Sequence, residues 1–153
     1  MRAVLEATLV SLLRGPHASG LDEVPILRMI RLSREEIGRR AEEFAARLRA
    51  ALPASVASEV EIDIRDAESV LGGGSTPAQN LPTRVISVAS ARHSAAQIEQ
   101  RLRSGASLHP DPRPLAPVPV VARIEDDRLI LDLRTVLHEQ EPALLATLAS
   151  ALC

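Results

Sequence analysis

The sequence predicts an α+β fold in which a small antiparallel sheet is covered by helices. Three observations lead there. Val60, Ile62 and Ile64 alternate with charged neighbours, the period of a half-buried strand. Val120 to Glu125 and Arg128 to Leu133 flank Asp126-Asp127, the pattern of a hairpin. Around them run apolar stripes of helical period, two of them opened by capping boxes. Apolar residues make up 46% of the 153 positions but aromatics only 1%, so the core is aliphatic, with Phe44 its single non-histidine ring.

In chain order, residues 2–14 read as a helix with Leu5, Leu9 and Leu12 on one face, stopped by Gly15-Pro16. This helix opens at Met1 without a cap, which suggests an upstream segment. Val24 to Ile30 reads as one short helical turn. Ser33 and Glu36 form a capping box for a helix to about Leu52, burying Ile37, Ala41, Phe44, Ala45, Leu48 and Leu52. Its opposite charges read as a solvated face. Pro53 ends it. The strand from Glu59 to Arg65 leads to the loop Leu71 to Pro77, and Arg84 to Ala89 forms a second strand. Its weaker alternation suits a more central place. Ser94 and Gln97 open a helix to about Arg103, with Gly105 as its stop. Pro110, Pro112, Pro114 and Pro117 make the next stretch an extended loop. After the hairpin, the last helix begins near Pro142.

Composition excludes several chemistries. All 18 basic residues are arginines, and without a lysine ε-amine the chain cannot form a Schiff base with an aldehyde cofactor. A net charge of −2 and the lack of Trp and Tyr argue against a broad nucleic-acid surface. Cys153 stands alone, so no intrachain disulfide forms. His17, His93, His109 and His138 lack metal-ligand spacing. Ser75, His93 and Asp63 make a hydrolase site only on paper, because no nucleophile elbow surrounds the serine. Asp126-Asp127 is a turn. The N-terminal stretch lacks a secretory apolar region, and no apolar run is long enough to span a membrane, so the expected location is cytoplasmic.

The candidate site residues are Gly72, Gly73, Gly74, Ser75, Arg123 and Arg134. Three consecutive glycines are useful where backbone must approach something closely, and their N–H groups can form an anion-binding concavity. A plain connection between strands is the other reading. Arg123 lies in a strand and Arg134 follows one. Each suits either an ion pair at the sheet edge or a phosphate or carboxylate contact.

Several stretches together resemble one family. They are Leu5-Glu6-Ala7-Thr8-Leu9, Val24 to Met29, Glu68 to Pro77 with its glycine run, Leu81-Pro82-Thr83-Arg84, and Ala122 to Val136. They are similar to the C-terminal portion of bacterial L-seryl-tRNA(Sec) selenium transferases, fold-type I pyridoxal-phosphate enzymes. These convert seryl-tRNA(Sec) to selenocysteyl-tRNA(Sec) with selenophosphate. The resemblance implies connecting helices over residues 1–53 and the small domain of that fold type over residues 54–153. It also implies a cofactor domain with the Schiff-base lysine on other sequence, and a homo-oligomer when full length. A fragment or split part, inactive alone, is the expected role. A stand-alone interaction module with the same fold is the alternative. The resemblance places the glycine run and the two arginines near substrate or a domain seam, with no catalytic, cofactor-anchoring or metal residue on this chain.

One prediction follows from the missing lysine. Mixing the chain with pyridoxal phosphate and borohydride is expected to leave every internal peptide unmodified by mass spectrometry. A stoichiometric internal adduct would contradict the reading.

Overall fold

The computed structural model describes residues 6–7, 9–10, 24–70, 80–105 and 118–153. The glycine run and the proline-rich stretch lie outside them. The chain forms two compact units, Met1–Ser33 and Arg34–Cys153. In the first, residues 6, 7, 9 and 10 are helical. Helix α1, Pro25–Arg31, follows an extended Val24 and carries its proline in the first turn. It is longer than the single turn expected.

The second unit begins with α2, Arg34–Ala51, whose Ile37, Ala41, Phe44, Ala45 and Leu48 are fully buried. After Pro53 comes a short helix missed in the sequence, α3, Ala54–Ala57, closed by amide bonds from Val56 and Ala57 to the Pro53 carbonyl. Strands β1, Val60–Val70, and β2, Asn80–Ser90, pair along their whole lengths, from Val60↔Ser90 to Val70↔Asn80. Both exceed the expected strands. Apolar alternation fades beyond Arg65, but the backbone ladder continues with polar side chains. Pro82 falls outside the stretch Val85–Val88 that pairs with β4, a strand margin where proline is tolerated.

Helix α4, Ala95–Ser104, has the predicted capping box, with Gln97 N–H donating to Ser94 Oγ at 3.3 Å and Ser94 N–H to Gln97 Oε1 at 2.9 Å. Gly105 stops it in the left-handed region at φ 59°. Strands β3, Arg123–Glu125, and β4, Arg128–Asp132, form the hairpin. Its turn residues Asp126 and Asp127 both have positive φ, as the tight primed turn demands. The hairpin is shorter than expected because Val120 gives its N–H to the Leu102 carbonyl instead. Two 3-10 turns, Leu133–Thr135 and His138–Gln140, lead to α5, Glu141–Leu152, with Pro142 in its first turn.

The sheet is antiparallel in the order β1-β2-β4-β3, so β2 is central, as its sequence suggests. Register puts Ile62, Val88, Leu129 and Ile124 in one row and Ile64, Ile86 and Leu131 in the next. Rows of directly opposed residues share a face. This face meets α2 along β2 and α4 along β4, with α5 packed on both helices. The opposite face carries charge. Arg128 reaches from β4 across β2 to β1, donating to Ser87 Oγ at 2.7 Å, Asp63 Oδ2 at 2.7 Å and Glu61 Oε2 at 3.0 Å. Arg92 pairs with Glu59 at the strand ends, holding that carboxyl below the usual range. A depressed carboxylate contributes stability above its unfolded pKa, and that contribution fades as pH falls through the folded one.

Gly38 shows how tightly α2 meets β2. A Cβ there would stand 2.7 Å from Cδ of Arg84, whose guanidinium binds Glu42 at 2.7 Å. Alanine gains about 1 kcal/mol of helix propensity over glycine. Gly38→Ala is therefore expected to be near neutral in the native chain and to stabilise by about 0.5–1 kcal/mol once Arg84→Ala removes the clash, a coupling read by urea unfolding. In the same assay Phe44→Ala, at the centre of the helix layer, is expected to cost about 3–5 kcal/mol.

Candidate functional site

One end of the sheet gathers the most connected polar group among the described residues. There β1 ends at Val70 and β2 begins at Asn80. Asp132, the last residue of β4, faces it. Its Oδ2 accepts from Ser69 Oγ at 2.5 Å, and its Oδ1 accepts from Thr83 Oγ1 at 3.1 Å and from the Arg134 amide at 2.9 Å. Its carbonyl accepts from Thr135 Oγ1 at 3.1 Å. A single carboxylate thus joins the end of β1, the start of β2 and the 3-10 turn. Asn80 adds a bond to Glu68 at 2.6 Å across the same mouth.

Arg134 follows Asp132 in that turn and is 4% exposed. Its Nη2 donates to the Pro82 carbonyl at 2.7 Å. Burial pushes its guanidinium below the ordinary value, and the Asp132 carboxylate opposes the shift. An arginine remains charged despite such a shift. Of the two expected arginines, Arg134 therefore lies inside the fold, tied to the start of β2. Arg123 lies on the edge strand opposite Ile130, with half its side chain exposed and Glu125 Oε1 at 3.4 Å. Gly72, Gly73, Gly74 and Ser75 lie outside the described residues. Of the paper hydrolase, Ser75 is likewise outside, and Asp63 is engaged by Arg128.

Asp132, Ser69 and Thr83 were not singled out from the sequence. The available signal was an aspartate directly after the apolar strand Leu129-Ile130-Leu131, where a short acidic side chain caps the turn that follows. A second missed cluster centres on Glu141, 3% exposed at the start of α5. Arg40 donates to it at 2.9 Å and to the Val136 carbonyl at 2.8 Å, Arg47 lies 3.8 Å away, and His138 Nδ1 is within 3.2 Å. This cluster pins α2 to α5. Beside it, residues 118–121 and Thr135, Val136, Ala143 and Leu144 border a cleft of about 330 Å³. Among the described residues no ionisable side chain lines the cleft. Among the described residues no group of His, Cys, Asp and Glu is arranged to hold a metal, and no helix is long and apolar enough to cross a membrane.

The family model for L-seryl-tRNA selenium transferase matches residues 1–137. The chain belongs to that family. It is 38% identical over 146 residues to the L-seryl-tRNA(Sec) selenium transferases of Geotalea daltonii and of Geobacter sulfurreducens, in each case covering 95% of this chain and 28% of the relative. The transferase of Nitratidesulfovibrio vulgaris is 40% identical over 134 residues, 88% of this chain and 25% of its own length. The chain thus spans little more than a quarter of these curated selenium transferases. The resemblance carried by the glycine run and the terminal hairpin is borne out at the level of the family, and the α+β fold agrees with it.

Asp132→Ala is expected to lose about 1–3 kcal/mol, because it strands the buried Thr83 hydroxyl and the Arg134 amide. Ser69→Ala, which removes one bond at the half-buried rim, is expected to lose no more than about 1 kcal/mol. Urea unfolding at neutral pH compares the two.

Proposed function

We propose that this chain supplies the small C-terminal domain of an L-seryl-tRNA(Sec) selenium transferase, acting in the cytoplasm within a homo-oligomer. The family match over residues 1–137 carries the proposal. The whole enzyme converts seryl-tRNA(Sec) to selenocysteyl-tRNA(Sec) with selenophosphate. Pyridoxal phosphate, the cofactor of that family, fits no covalent anchor here, since all 18 basic residues are arginine. These residues therefore take no covalent part in the reaction, and the chain is inactive by itself. In this reading the segment ahead of the α+β unit connects it to the cofactor domain.

The site role falls to the sheet end described above. Gly72, Gly73, Gly74 and Ser75 shape the substrate site or the domain seam, with backbone N–H groups available to an anion. Arg134 supports that end through the Pro82 carbonyl, while the half-exposed Arg123 is a phosphate or interdomain contact. The substrate amino acid is esterified to tRNA, so no free-carboxylate clamp is needed.

The test is a graft: the Geobacter sulfurreducens transferase with its matched stretch replaced by this chain. Supplied with seryl-tRNA(Sec), selenophosphate and pyridoxal phosphate, the graft is expected to form selenocysteyl-tRNA and the chain alone none. Gly73→Val in the graft is expected to lower turnover at least about tenfold, a barrier increase of about 1.4 kcal/mol. An inactive graft, or turnover by the chain alone, would overturn the proposal.

A further inference from the structure

We propose that Asp132 is a positioning residue for selenium transfer. Its carboxylate fixes the direction in which the far ends of β1 and β2 leave the sheet, and it does so as a hydrogen-bond acceptor, without touching substrate. This rests on the proposed function, which gives the substrate or seam contact to residues 72–75, joined through the chain to Val70 and Asn80.

The need for such a residue comes from the strand lengths. β4 pairs with β2 only as far as Val85↔Asp132, whereas β1 and β2 pair for five further rows, from Asp66↔Arg84 to Val70↔Asn80. Among the described strands those rows are a two-stranded ribbon. Such a ribbon twists more than a wide sheet and is marginal by itself. Its direction is set by side chains that reach it from the body of the fold. On the helix side Arg34 meets Asp66 and Glu42 meets Arg84, each at 2.7 Å. Asp66 and Glu42 are 69% and 59% exposed, so solvent screens these pairs. On the other side Asp132, in one row with Arg65 and Val85, bonds Ser69 on β1 and Thr83 on β2, while also holding the Arg134 amide. Thr83 is fully buried, and leaving such a donor without its acceptor is costly. One carboxylate thus grips both strands of the ribbon from the strand that stops short of it. Misplacement of a site by about 1 Å can cost a hundredfold in rate.

Asp132→Asn separates shape from charge. Its carbonyl can accept from Thr83 and from the Arg134 amide, and its NH2 can donate to the Ser69 hydroxyl, so the grip survives and the charge does not. The graft described above is assayed with each variant folded. Asp132→Ala is expected to lower kcat at least about tenfold, with KM for seryl-tRNA(Sec) held within about twofold. It is also expected to speed hydrogen exchange of the ribbon amides, residues 66–70 and 80–84, at least about tenfold. Asp132→Asn is expected to restore both readings, and Arg34→Gln, on the exposed helix side, to leave both unmoved. Ser69→Ala, which keeps the other two bonds, is expected to lower kcat about threefold and decides the matter if Asp132→Ala does not fold. Full turnover by Asp132→Ala or Ser69→Ala, or a loss in Asp132→Asn as deep as in Asp132→Ala, would overturn the positioning role. So would ribbon exchange indifferent to Asp132→Ala. Failure of the proposed function shows differently, as an unsubstituted graft without turnover, and takes the positioning role with it.

Discussion

The arrangement depends on covering one face of a four-stranded sheet. Ile86 and Val88 sit at the centre of that face and are fully buried, with Leu129 and Leu131 beside them on β4. An antiparallel sheet with one apolar face must bury it against helices or another sheet. Here α2 and α4 lie on the strands, and Phe44, Leu48, Ile98 and Leu102 fill the layer. With one aromatic residue in the core, tight aliphatic packing has to do what large rings do elsewhere.

Polar groups then decide how the layers are joined at their margins. Arg128 ties β4 to β1 over the central strand, Glu141 joins α2 to α5 through Arg40, and Asp132 gathers both flanks of the 71–79 connection. Each buried or half-buried carboxylate meets a cation or several donors, which is the condition for tolerating such a group inside a fold. The ties made by Asp132 place the most constrained polar geometry where the chain leaves and re-enters the sheet.

Much of the fold was legible beforehand. The capping box at Ser94 and Gln97, the stop at Gly105, the turn at Asp126-Asp127 and the proline at the head of α5 are local devices, and local devices are written in adjacent residues. The strands were underestimated because pairing beyond Arg65 is carried by backbone, while the side chains there no longer alternate. The family was legible from the glycine run and the hairpin, and Arg134 was singled out. Asp132 was not. Its partners Ser69 and Thr83 stand 63 and 49 positions away, and no local pattern announces such a meeting.

By itself the sequence determined the composition of the core, the bounds of α2, α4 and α5, the family, and the impossibility of a lysine-bound cofactor on these residues. Those follow from side-chain chemistry and short-range spacing. Only the tertiary structure decided the strand order β1-β2-β4-β3, that Arg134 is an interior tie while Arg123 stays at the edge, and that one aspartate holds three segments together. Strand order and burial arise from contacts between distant residues, and those contacts exist only once the sheet has closed against its helices.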